Sequence, residues 1–167
     1  DNYMSVYRLF LMRHGEAGWT KDDFSRPLTV SGRRQIKISG NWMVEKSYIP
    51  SLTLCSSSAR TRETQSILRR ILTVASDHQA ITMDSLYDST RESIRDALLS
   101  KSSSSDILLI GHNPGLDDFV SWMCGVDISS VDELFNFNTG SICVLQYALE
   151  NNAITFGSGH ILDSLHP

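Results

Sequence analysis

The chain has 167 residues, 41% hydrophobic and 20% charged, which suits one domain over residues 1–167 with a sizeable core and leaves too little for two. A net charge of −4 argues against nucleic-acid binding, which shows as a basic surplus, so any positive pocket has to be local. Three widely spaced cysteines, Cys55, Cys124 and Cys143, without a C-x-x-C pair, argue against a disulfide framework or a structural zinc site and point to a reducing, cytoplasmic setting.

The first predicted strand, Tyr7 to Arg13, runs through Leu9-Phe10-Leu11-Met12 straight into Arg13-His14-Gly15-Glu16. A polar loop, Asp22 to Pro27, precedes a helix from Thr29, which can cap it, to Lys46. Leu52 to Cys55 reads as a short strand. Three serines then lead to a helix in which Thr64, Ile67, Leu68, Ile71, Leu72 and Ala75 recur at helical spacing. Ala80 to Met83 is predicted as an edge strand, and Arg91 to Leu99 as a helix with Ile94 and Leu98 inward. Ser100 to Ser105 reads as a solvated loop too short to link domains. A strand from Asp106 to Ile110 is followed by a helix begun near Pro114, whose ring suits a first turn. Ser141 to Tyr147 and Ala153 to Phe156, around Asn151-Asn152, predict a closing hairpin; its first strand, apolar on both faces, belongs inside the sheet. The alternation predicts an α/β fold: a three-layer sandwich with a mostly parallel central sheet and helices on both faces. No apolar run approaches the roughly 18 residues of a membrane span, and no cationic start leads into an apolar stretch. The sequence opens on Asp1 rather than Met, so an organelle stays open should a targeting leader have been removed.

Chemistry gathers at strand ends, where α/β sheets open their pockets. Arg13 and His14 follow the first strand. His112 follows Ile107-Leu108-Leu109-Ile110 inside Gly111-His112-Asn113-Pro114-Gly115, and Arg60 comes just after Cys55-Ser56-Ser57-Ser58. Two guanidiniums and two imidazoles brought together fit a phosphoryl group in transfer, whose charge lies on three equatorial oxygens. Arginine suits the task because its planar fork grips two oxygens and keeps its proton. The neighbouring cations are expected to depress the histidine pKa values and leave one ring neutral and nucleophilic. Gly15 lets backbone approach closely, and free amides at the Asn113-Pro114-Gly115 helix entry favour an anion. Arg26 is a candidate to steer the phosphate, with a surface ion pair as the plainer reading; Glu16 reads as a hydrogen-bonding partner near the rim.

These residues resemble the histidine phosphatase superfamily, with its phosphoglycerate mutase-like fold. Arg13-His14-Gly15, Arg60-Thr61-x-x-Thr64 and Gly111-His112-Asn113-Pro114-Gly115 stand in that family's order. Within it, Arg13-His14-Gly15-Glu16-Ala17 and Arg26-Pro27-Leu28-Thr29 look most like the SixA-type phosphohistidine phosphatases. The resemblance implies that His14 attacks phosphorus and is phosphorylated, that Arg13, Arg60 and His112 are catalytic with it, and that Gly15, Arg26 and Asn113 join the substrate site. Water then releases inorganic phosphate, with no metal and no cofactor. Ser57 and Gln65 depart from the proline and alanine usual in the family, outside the four-residue core.

Larger phosphomonoesterases of the superfamily place a carboxylic acid on an inserted segment to protonate an alkoxide. That stretch is short here, and Asp84, Asp88 and Glu92 provide no evident donor. Few residues separate Gly15 from Thr29, so a lid is not expected and the pocket should be shallow. The reading is therefore a phosphatase acting on a phosphorylated protein, specifically phosphohistidine. Alternatives are a small phosphoester substrate or a non-catalytic module that binds phosphoproteins, and neither nucleic acid nor membrane is an expected partner. A cysteine-dependent phosphatase needs five residues between its cysteine and arginine, whereas four separate Cys55 from Arg60. A Walker sequence is absent, and the aspartates are dispersed rather than clustered for two metals. His78, His160 and His166 lack metal-ligand spacing. Trp42 and Trp122 fall in amphipathic helices as core residues, whereas Trp19, in a polar loop, is a candidate contact for a protein partner.

Overall fold

The computed structural model describes residues 5–101, 104–126 and 135–167. Six strands form one sheet: β1 (Val6–Arg13), β2 (Leu52–Ser56), β3 (Gln79–Met83), β4 (Ile107–Gly111), β5 (Ile142–Ala148) and β6 (Gly159–Leu165), in the order β3-β2-β4-β1-β5-β6. The pairings β2·β3, β2·β4 and β1·β4 are parallel, whereas β1·β5 and β5·β6 are antiparallel. The mostly parallel sheet is thus as expected, with an antiparallel edge added.

The helices are α1 (Val30–Glu45), α2 (Ala59–Ile71), α3 (Arg91–Leu99) and α4 (Gly115–Met123). Thr29 caps α1 by accepting from the Gly32 amide, and Ser58 caps α2 by accepting from that of Thr61. Each satisfies an amide that the first helical turn leaves without a partner.

Strand alternation divides the core between two faces. Phe10, Met12, Leu108, Ile110, Ile142 and Val144 pack with Ile36, Met43 and Leu68 of α1 and α2. Leu9, Leu11, Ile107, Leu109, Cys143 and Leu145 pack with Ile94, Leu98, Phe119 and Met123 of α3 and α4. Helices therefore cover both faces, and the inner strands read as continuous apolar runs because neither side meets water. Cys55 and Cys143 are buried among these residues, and burial pushes both thiols up to about 12.

The hairpin prediction is corrected in its second strand. Asn151 and Asn152, at φ 52° and 62°, make the turn, but the Glu150–Ala153 bridge ends at once and Phe156 turns aside onto Trp122, ring centroids 6.2 Å apart. After a second turn at Gly157, φ 76°, the chain returns as Gly159–Leu165, a partly exposed edge strand. Trp42 and Trp122 are half-buried rather than core. The Asp22–Pro27 loop carries a short 3-10 turn, Asp23–Ser25. Of the serine-rich loop, Ser102 and Ser103 lie outside the described residues. Among the described residues, no helix is long and apolar enough to cross a membrane.

Candidate active site

Parallel register brings the predicted strand ends together. Arg13 lies opposite Gly111 at the ends of β1 and β4, and Cys55 opposite Ile110 at that of β2, so His14, His112 and the Ser56–Arg60 turn leave the sheet side by side. The His14 and His112 ring centroids are 5.2 Å apart, and His14, Arg60 and His112 are only 6–7% exposed.

The nucleophile-capable ring is held in one orientation. His14 Nδ1 lies 2.7 Å from the Gly15 carbonyl oxygen, which can only accept. The proton of the neutral ring therefore sits on Nδ1, leaving a lone pair on Nε2. Gly15 is fixed in turn: its amide donates to Thr64 Oγ1 at 3.2 Å, and Thr64 bonds the Arg60 carbonyl. A Cβ at Gly15 would lie 2.7 Å from the Gly32 carbonyl oxygen, so the close approach that glycine allows is to α1.

His112 Nε2 lies 2.7 Å from Ser56 Oγ, while its Nδ1 is buried without a hydrogen-bond partner. Arg13 donates from NH1 to the Phe137 carbonyl, and Asn113 Nδ2 donates to the same oxygen. Asn113 Oδ1 accepts from the Asp117 amide. Among the described residues, the buried side-chain polar atoms without a partner are Arg13 Nε, Arg60 Nε, His112 Nδ1 and Ser57 Oγ. Three of these four belong to the predicted quartet. Buried donors of this kind cost about 1–3 kcal/mol each when left unpaired, and their concentration here marks a place prepared for an acceptor-rich anion.

The His14 pKa is lowered to about 4 and that of His112 to about 3. Desolvation is the largest cause in both, and the expected neighbouring cations add to it: Arg60 and Arg13 lower both rings, while the Gly15 carbonyl raises His14 and Asp23 raises His112. Both imidazoles are neutral at pH 7.

A cleft of about 240 Å³ opens from this cradle, lined by Asp23, Tyr87, Asp88 and Ser89 besides Arg60, His112 and Asn113. Its wall includes Asp23 of the short 16–28 segment, from which no lid was expected. Arg60 donates from NH1 to the Asp23 carbonyl at 2.8 Å and from NH2 to Asp23 Oδ2 at 3.2 Å. Tyr87 donates to the same Oδ2 at 2.6 Å. Asp23 and Ser56 were not singled out for function by sequence reasoning; for Asp23 the available signal was an acidic pair, Asp22-Asp23, just before Arg26.

The other sequence candidates fall as follows. Arg26 donates to the Gly18 and Ala17 carbonyls and to Asp23 Oδ1, which fastens the 17–26 loop. Glu16 accepts from Thr29 Oγ1 at the start of α1. Three of the α4 entry amides have local acceptors: Leu116 bonds the His112 carbonyl, Asp117 the Asn113 side chain and Asp118 the Pro114 carbonyl. Cys55 donates its S–H to the Ser56 carbonyl from within the core. His78 bonds Thr53 and His166 bonds Ser141. Among the described residues, no three His, Cys, Asp or Glu side chains are grouped to hold a metal ion. Trp19 is 85% exposed.

Residues 9–88 match branch 1 of the histidine phosphatase superfamily, and the fold and the paired histidines are similar to what that family carries. Its fold is similar to that of SixA structures. A structure assigned as the phosphohistidine phosphatase SixA from Nakamurella multipartitia is 28% identical, with a TM-score of 0.79 over 98% of this chain and 97% of that one. A structure given the same assignment from Agrobacterium tumefaciens is 24% identical, with a TM-score of 0.80 over 96% and 99%. An uncharacterized chloroplastic protein of Arabidopsis thaliana is 27% identical over 133 residues, 72% of this chain and 61% of that protein. The match thus spans less than two thirds of that curated relative's length.

Proposed function

We propose that the protein is a protein phosphohistidine phosphatase that works through a phosphoenzyme at His14. The observation carrying this reading is the convergence of unpartnered Arg13 Nε, Arg60 Nε and His112 Nδ1 around a neutral, oriented His14 ring.

His14 Nε2 attacks phosphorus while the bond to the leaving group breaks and its electron pair departs with that group. Arg13, Arg60 and His112 hold the equatorial oxygens, where fixed donors act more strongly on the transition state than on the ground state. A hydroxyl donated from Ser56 to His112 Nε2 sets that ring's proton on Nδ1, where it serves a phosphoryl oxygen. In the second step water attacks phosphorus and His14 leaves as a neutral imidazole, because Nδ1 has kept its proton on the Gly15 carbonyl. Phosphate is then released. No step requires a metal ion.

A phosphoramidate is favoured over an alkyl ester by the state of the rim. Asp23 is lowered to about 2, first by the Tyr87 hydrogen bond and then by Arg26 and Arg60, so it has no proton to give an alkoxide near neutral pH. An imidazole with its second nitrogen protonated leaves without such help. The SixA likeness supports the same substrate class. A chloroplastic relative favours an organelle over the cytoplasm, and a fluorescent fusion of the full reading frame tests that.

The deciding experiment compares turnover of a phosphohistidine-bearing protein with that of sugar and aryl phosphates and traps the phosphoenzyme. We expect preference for the former and label on His14. Preference for the esters overturns the substrate, whereas phosphoprotein binding with no phosphate release and no phosphoenzyme makes the domain a binding module.

A further inference from the structure

The rim carboxylate is the least explained group near the cradle. Asp23 accepts from Tyr87, Arg60 and Arg26, three of the roughly four lone-pair positions of a carboxylate. Its side chain is 55% exposed and lines the cleft with Asp88, His112 and Tyr87. Tyr87 holds its ring edge-on to His112 at 5.6 Å and to Phe24 at 5.1 Å, a flat wall beside the carboxylate. Beyond Arg60, the cleft lining is acidic, aromatic and polar, without another cation. Such a lining repels an anionic leaving group and accepts one that is flat and carries an N–H.

Resting on the phosphohistidine reading above, we infer that Asp23 is the specificity-determining residue of this site: it accepts the N–H of the substrate's imidazole on the nitrogen that does not carry phosphorus. The chemistry balances through that proton. A phosphohistidine ring protonated from solvent on its free nitrogen breaks its P–N bond with the electron pair returning to the ring, and leaves as neutral imidazole. Without that proton it must leave as imidazolate, a far poorer leaving group. A carboxylate facing the N–H keeps the proton in place to higher pH, as the Gly15 carbonyl keeps that of His14. The two rings that exchange the phosphoryl group are thus served alike, one by a carbonyl and one by a carboxylate. An alkyl ester offers no N–H and draws no benefit from Asp23.

The test is kcat/KM of wild type and Asp23→Asn on free phosphohistidine and on p-nitrophenyl phosphate, across pH. Asparagine keeps the size of the side chain, and a thermal melt checks the fold. Both substrates lose some rate because Arg60 loses an ionic partner. The phosphohistidine rate should fall further, lowering the ratio by at least about tenfold. The basic limb for phosphohistidine should also move down by about one pH unit, toward the ordinary imidazole range. Tyr87→Phe, which keeps the ring but removes the hydrogen bond that holds the carboxylate in position, should lower the same ratio by a smaller factor. Parallel losses with an unmoved limb would make Asp23 a prop for Arg60 and overturn the inference while the phosphohistidine reading stands. A wild-type protein inert on phosphohistidine overturns both.

Discussion

The cradle and the rim of the cleft are built on opposite plans. In the cradle, His14, Arg60 and His112 are buried, and nitrogens of Arg13, Arg60 and His112 have no partner. At the rim, Asp23 is exposed and nearly saturated with donors from Tyr87, Arg60 and Arg26. A buried donor without an acceptor raises the energy of the free protein and is relieved by any anion of the right shape, so the cradle serves every phosphoryl substrate alike. An exposed carboxylate with one acceptor position left gives little stability and acts through charge and geometry on what lies beyond phosphorus. Changes in the cradle should therefore cost rate on all substrates, whereas rim changes should separate one leaving group from another.

The sharpest break in that comparison comes from His14→Ala. Removing the nucleophile should lower kcat by at least about 10⁴-fold on phosphohistidine and aryl phosphate together and abolish the trapped phosphoenzyme. Residual turnover on one substrate alone would mean that the cradle is not common to both. Arg60→Ala comes next, with an expected loss of about 10²- to 10³-fold in kcat/KM on either substrate. Tungstate should bind more weakly to that variant, read by competition against turnover.

Acid should expose the burial of the two rings. His14 and His112 are lowered to about 4 and about 3, first by desolvation, against about 6.5 in an unfolded chain. As pH falls below 6.5 the unfolded chain takes up protons that the folded one refuses, so stability is full above that pH and is lost between 6.5 and about 3. Thermal melts should show a midpoint that declines over this window more steeply in wild type than in a His112→Asn variant. In the free enzyme, the His14 contribution to kcat/KM should stay level from pH 7 down to about 5, where an ordinary histidine would be mostly protonated. A limb near 6.5 would mean that the cradle is wetter than its burial indicates.

Much of the cradle was legible because the letters that carry it stand at strand ends. Once Leu9–Met12 and Ile107–Ile110 read as strands buried on both faces, parallel register leaves His14 and His112 adjacent. The largest cause of the lowered histidine pKa values was not legible, since charge can be counted along a chain but burial cannot. Asp23 escaped notice because its importance lies in contacts with Arg60 and Tyr87, which are 37 and 64 residues away. The strand Gly159–Leu165 was missed for a simpler reason: as an edge it alternates exposed His160, Leu162 and Ser164 with half-buried positions, and its polar letters resemble a tail.

Ser56→Ala is the mildest change that still touches the cradle, and it tests whether orientation matters there as much as charge. Ser56 is fully buried, carries no charge and contacts His112 through one hydrogen bond of 2.7 Å. Removing the hydroxyl leaves His112 Nε2 buried and unpaired, which costs about 1–3 kcal/mol. The ring is then free to place its proton on either nitrogen. If the proton on Nδ1 serves the phosphoryl group, kcat should fall by roughly tenfold on both substrates, with KM changed less, and the phosphohistidine to aryl phosphate ratio should stay as in wild type. A ratio that moves would put His112 on the leaving-group side of phosphorus and erase the division between cradle and rim. An unchanged kcat would mean that burial alone fixes the ring.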